Sequence, residues 1–225
     1  MLEADIKKIL HGDLRSELDN PSGRVVQGGV GKHTLCRSCN NNTGSWYGPA
    51  YVDFVKSLYT LMWRLPDGVP GTLIVPARPV EVLKQILAMF CSAGPPEFAE
   101  KNPDLVRFIL NRDARVLPDR FRVFMGVYDV QNSRAARSSA LTGLLNLDGE
   151  KGKIFSEICF PPFNLVLCID SPPPDKRLFE ITWFKNFTFG VEAEVTLHLF
   201  RLPVVSHFPA DYRSSGQIWN KPTDP

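Results

Sequence analysis

The sequence predicts an α+β protein, with a hairpin and helices first and a mainly antiparallel sheet after them. Two observations carry this. Between residues 51 and 112 apolar side chains recur at helical spacing. Between 120 and 203 they fall into short runs rich in β-branched and aromatic residues, separated by turn formers. Helices and strands thus occupy separate stretches, the ordering of an α+β fold and not of an alternating nucleotide-binding one. With 225 residues and 44% apolar content a sizeable core is possible. The division expected is an N-terminal module over 1–50 and an α+β body over 51–225.

Residues 2–19 place Ile6, Ile9, Leu10 and Leu14 at helical spacing among mixed charges, an amphipathic helix with His11 on its edge. In GRVVQGGVGKHTL (23–35), Val25 and Val26 can pair back to Thr34 and Leu35 across a glycine turn. The GGVGK string looks like a phosphate loop, but that loop needs glycine where Val26 stands and a hydroxyl where His33 stands. No nucleotide cofactor is therefore expected.

Tyr51 to Trp63 carries a wide apolar stripe and reads as a core helix; Leu65 to Pro76, rich in proline and glycine, reads as a connector. A second helix is expected from Pro79 to Ser92, with Val80, Leu83, Ile86, Leu87 and Phe90 inward, and a third from Pro103 to Asn111, with Asn102 as N-cap. Lys84, Arg107 and Arg112 read as solvated charges on these helices. Strands are expected at 121–130, 139–147, 153–160, 164–170, 179–184 and 192–200, with Asp148-Gly149 in a hairpin turn. In the last of them Val195, Leu197 and Leu199 alternate with Thr196 and His198, which puts His198 on the sheet surface. The tail from Phe208 onwards is expected to be ordered only where Tyr212 and Trp219 dock.

The charge balance, 26 basic against 24 acidic residues, announces neither nucleic acid nor an anionic membrane, so such binding must be local. Arg134 and Arg137 on a polar loop are one weak footprint. No apolar run approaches the ~20 residues that span a bilayer, so no membrane partner is expected. Five cysteines form no disulfide framework and no signal segment opens the chain, which favours a reducing, cytoplasmic setting. Cys91, Cys159 and Cys168 lie in apolar runs and read as buried core thiols.

Cys36 and Cys39 differ. They sit two residues apart between small polar neighbours, and a C-x-x-C turn lets two thiolates reach one tetrahedral, zinc-type ion. Asn40, Asn41 and Asn42 then lead through Thr43 and Gly44 to Trp46 and Tyr47, a knuckle followed by a short helix or turn.

The string LCRSCNNNTG, Leu35 to Gly44, resembles the second half of the metal knuckle of HNH-type nucleases and their treble-clef relatives. The resemblance covers about a twelfth of the chain. It implies a zinc-knuckle-like hairpin, with Cys36 and Cys39 as structural zinc ligands and Asn40 in the catalytic-metal position at the start of a helix. It further implies a divalent cation and a nucleic-acid substrate. The family's catalytic histidine stands earlier in its motif than His33, the nearest candidate base here. No cysteine precedes Cys36 in this chain, so the candidates for the remaining ligands are His33, His11, a partner chain, one of the later cysteines Cys91, Cys159 and Cys168, or a longer protein.

Three readings stay open: an HNH-like metal-binding protein acting on or binding nucleic acid, active or not; a non-catalytic, zinc-stapled module that recognises a protein or nucleic acid; and a turn that binds no metal. A serine nucleophile elbow and a dinucleotide fingerprint are absent.

Overall fold

The computed structural model describes residues 35–62, 64–66, 69–94, 96–128, 139–145, 153–160 and 163–202. All of them belong to the second of the chain's two compact units, Lys32–Pro225. The helix expected at 2–19 with His11, the hairpin at 25–34 with His33, the loop arginines Arg134 and Arg137, the Asp148-Gly149 turn and the tail lie outside the described residues.

Helix α1, Arg37–Met62, opens the described structure. It starts fourteen residues before the helix expected at 51–63 and runs straight through position 50. Gly44, Gly48 and Pro49 are poor interior residues, and Pro49 lacks the N–H that would bond the preceding turn. Packing overrides this local preference. Thr43, Tyr47, Ala50, Phe54, Leu58 and Met62, spaced three or four apart, form one buried stripe along the whole length.

Strand β1, Gly71–Ala77, replaces much of the expected connector. It buries Leu73, Val75 and Ala77 and turns Thr72, Ile74 and Pro76 outwards. Pro76 is tolerated because, among the described residues, β1 pairs only with β7, Ala77 lying opposite Ala193 and Gly71 opposite Leu199. Helices α2, Pro79–Ala93, α3, Pro96–Glu100, and α4, Pro103–Leu110, follow. All three begin on a proline whose missing N–H would have had no helical partner there. Asn102 precedes α4 as expected, but its side chain does not cap it: Nδ2 donates to the Phe98 carbonyl at 2.7 Å and Oδ1 accepts from Arg120.

The remaining strands are β2, Phe121–Tyr128; β3, Ser139–Leu145; β4, Lys153–Phe160; β5, Phe163–Ile169; β6, Phe179–Glu180; β7, Ala193–Leu199; and β8, Arg201–Leu202. Six of them form one sheet in the order β3-β4-β5-β2-β6, with β8 alongside β2. Every pairing is antiparallel except the short β2–β8 contact. The expected strand at 179–184 is only two residues long. The Thr182–Asn186 stretch coils into a 3₁₀ helix whose Phe184 inserts beneath α1, edge-on to Phe54 at 6.2 Å.

Lys84 corrects the sequence reading: it is not solvated but fully buried. It stands four residues after Val80 and three before Leu87, on the apolar stripe itself. Its ammonium donates to the carbonyls of Asn111 and Arg112, at 2.7 and 2.9 Å, just beyond the end of α4. The Phe108 ring lies 4.6 Å beneath it. Tyr47 Oη donates to the Ile109 carbonyl at 2.7 Å, so α1 and α2 grip the same helix terminus. Arg107 and Arg112 are exposed, as read.

Candidate thiol site

Cys36 sits immediately before α1 and acts as its N-cap. Its carbonyl accepts the first helical bond, from Asn40 N–H at 2.9 Å, and its sulfur accepts the Cys39 N–H at 3.1 Å. The chain is forced to turn there, because the third helical residue carries the second sulfur back over the first. The two Sγ atoms are 2.8 Å apart, and both thiols are free. Thr43 anchors this turn by donating to the Cys39 carbonyl at 2.9 Å.

The two sulfurs are not equivalent. The Cys36 thiol is exposed and held below its usual range, first by the hydrogen bond with the Cys39 thiol and then by the backbone N–H groups of the turn. The Cys39 thiol is half-buried and pushed up, first by the same sulfur–sulfur bond and then by burial. One proton shared between two sulfurs favours a thiolate at Cys36 and a thiol at Cys39.

The pair borders an apolar cleft of about 140 Å³ between α1, α2 and α4, walled by Ala88, Cys91, Ile109 and Leu110. Cys91 is buried there, and desolvation pushes its thiol up to about 12, which leaves it inert. Cys159 and Cys168 are buried in the six-stranded sheet, as their apolar surroundings predicted. Asn40 is exposed on the first turn of α1, one residue beyond Cys39. The exposed Arg112 guanidinium lies 5.4 Å from the Trp46 ring, further along α1, and 5.2 Å from that of Phe189. Nothing in the residue pattern signals this stack, since the three residues are far apart in the chain.

Two soft sulfurs converging at a helix start are the right donors for zinc. A tetrahedral ion with bonds of about 2.3 Å holds two sulfurs about 3.7 Å apart, so the pair needs to open by roughly 1 Å, within reach of side-chain rotation. Among the described residues no group of three or more histidine, cysteine or carboxylate side chains gathers around a common point. His33 and His11, the expected further ligands, lie outside the described residues. His198, expected on the sheet surface, is exposed on β7, with Nδ1 3.0 Å from Thr72 Oγ1. No helix of the described residues is long and apolar enough to cross a membrane.

The fold and the site define an α+β protein with a solvent-facing dithiol at the start of its longest described helix. In comparisons with protein families, with curated proteins and with solved structures, nothing matches this chain.

Proposed function

We propose that this protein is an HNH-like metal-binding module that acts on or binds nucleic acid, with Cys36 and Cys39 as the thiolate half of a structural zinc site. The observation that carries this reading is the convergence of the two sulfurs, 2.8 Å apart, at the first turn of a helix. Zinc in such a site cross-links the segment before the helix to the helix itself. His33 and His11 are the candidates in this chain for completing the ligand set. In the same reading Asn40 stands beside a divalent cation and His33 is the base; catalysis is weak or absent in this chain, and binding is its main activity.

Nucleic-acid contact would fall on the surface that Arg112 and Trp46 present. Arg112 over Trp46 offers a cation and an aromatic face together, the pairing that meets phosphate and an unstacked base. The test is fluorescence anisotropy of labelled single- and double-stranded oligonucleotides with the full chain loaded with zinc. Binding that weakens steeply with salt and is reduced several-fold by Arg112→Ala is expected. Absence of binding to any of them at low salt would exclude nucleic acid as the partner.

A second reading needs no further ligand from the chain itself. In it the chain is a non-catalytic interaction module, and the dithiol turn is stapled through a partner chain or carries no metal. Zinc uptake that requires a second protein would favour it.

A further inference from the structure

The geometry of Cys36 and Cys39 points to a second chemistry that needs no metal: we propose that the pair is a thiol–disulfide exchange site whose substrate is a disulfide. Three features of the pair support it. The sulfurs are already 2.8 Å apart, so forming a bond of about 2.05 Å requires a shift of under 1 Å. The attacking group is identified by exposure: Cys36 faces solvent, while Cys39 is half-buried against the apolar cleft. The Cys39 N–H, 3.1 Å from the Cys36 sulfur, stabilises negative charge on that sulfur both before attack and whenever it leaves again.

The Cys36 sulfur attacks one sulfur of a disulfide RSSR, the S–S bond breaks, and one RS⁻ leaves to take a proton from water. Cys39 then loses its proton and attacks the Cys36 sulfur, expelling the second RS⁻. The protein dithiol is oxidised by two electrons to the Cys36–Cys39 disulfide, and RSSR is reduced to two RSH. Cys91, Cys159 and Cys168 take no part because they are buried. This exchange stands independently of the zinc reading, although a bound zinc ion would compete for the same thiolates.

The test uses the full chain after chelator treatment, incubated with glutathione disulfide over a series of glutathione ratios and then alkylated. The expected result is loss of both free thiols at 36 and 39 together, with a peptide linking the two and the other three cysteines unmodified. In Cys39→Ser the reaction should stop at a glutathione adduct on Cys36; in Cys36→Ser the adduct on Cys39 should form at least tenfold more slowly. Cys36 and Cys39 both remaining alkylatable at ratios that oxidise dithiothreitol would overturn the proposal, as would adducts forming equally fast in the two variants. Zinc content, measured on a separate untreated sample, keeps the two ideas apart. Zinc without exchange refutes only this inference, and exchange without zinc refutes only the metal site.

Discussion

The Lys84 ammonium lies 2.7 Å from the backbone carbonyl of Asn111, a hydrogen bond between a fully buried cation and the end of a helix 27 residues away. With the neighbouring bond to Arg112 and that from Tyr47 to Ile109, it fixes the end of α4 between α1 and α2. Because α1 and α4 also form walls of the thiol cleft, the same three bonds hold that cleft in shape.

Lys84 therefore makes stability depend on pH with a definite sign. Burial lowers it from about 10.5 to about 8 in the folded protein. Between those values the unfolded chain holds more protons than the folded one, so this residue's contribution to stability rises as pH climbs through the window. Urea unfolding should show the gap between the wild type and Lys84→Met widening in favour of the wild type from pH 7.5 to pH 9.5. A gap that stays constant would mean the ammonium is not desolvated as described. At pH 7.5 Lys84→Met should already cost about 1–3 kcal/mol, since it leaves two carbonyls without their donor.

Tyr47→Phe removes one hydroxyl and leaves the Ile109 carbonyl unpaired, for an expected loss of about 1–2 kcal/mol. Since Tyr47 and Lys84 hold one helix end, the double variant should show a coupling of at least about 0.5 kcal/mol in a double-mutant cycle. Strict additivity would separate the two anchors.

The sheet half was legible because its strands are short, rich in β-branched and aromatic residues, and separated by turn formers; 153–160 follows from these signals, and 193–199 from its alternation as well. α1 was half legible. Its later turns carry a clear stripe, but Gly44, Gly48 and Pro49 signal a break that only tertiary packing of Tyr47 and Ala50 cancels. β1 was hidden for the opposite reason: its flanking prolines and glycines read as a connector, and its partner β7 lies more than a hundred residues on. Lys84 could have been found, since its spacing from Val80 and Leu87 puts it on the buried face. At the thiol site the C-x-x-C spacing revealed the pair but not the difference between its members, which arises from the helix start and the apolar wall.

Whether α1 is one packed element can be tested on its two faces. Leu58 is fully buried and Val52 is 46% exposed. Leu58→Ala should destabilise by about 2–5 kcal/mol through lost burial and the cavity left behind, and Val52→Ala by less than about 0.5 kcal/mol. Similar costs for the two would contradict the burial pattern along the helix.

The metal reading is tested most directly by elemental analysis of the purified full chain beside its Cys36→Ser/Cys39→Ser variant. About one zinc per chain is expected in the wild type and none in the variant, with both proteins folded. Wild-type protein that binds no zinc even when zinc is supplied during refolding, or a double variant that retains it, would contradict the assignment of this dithiol as a zinc half-site.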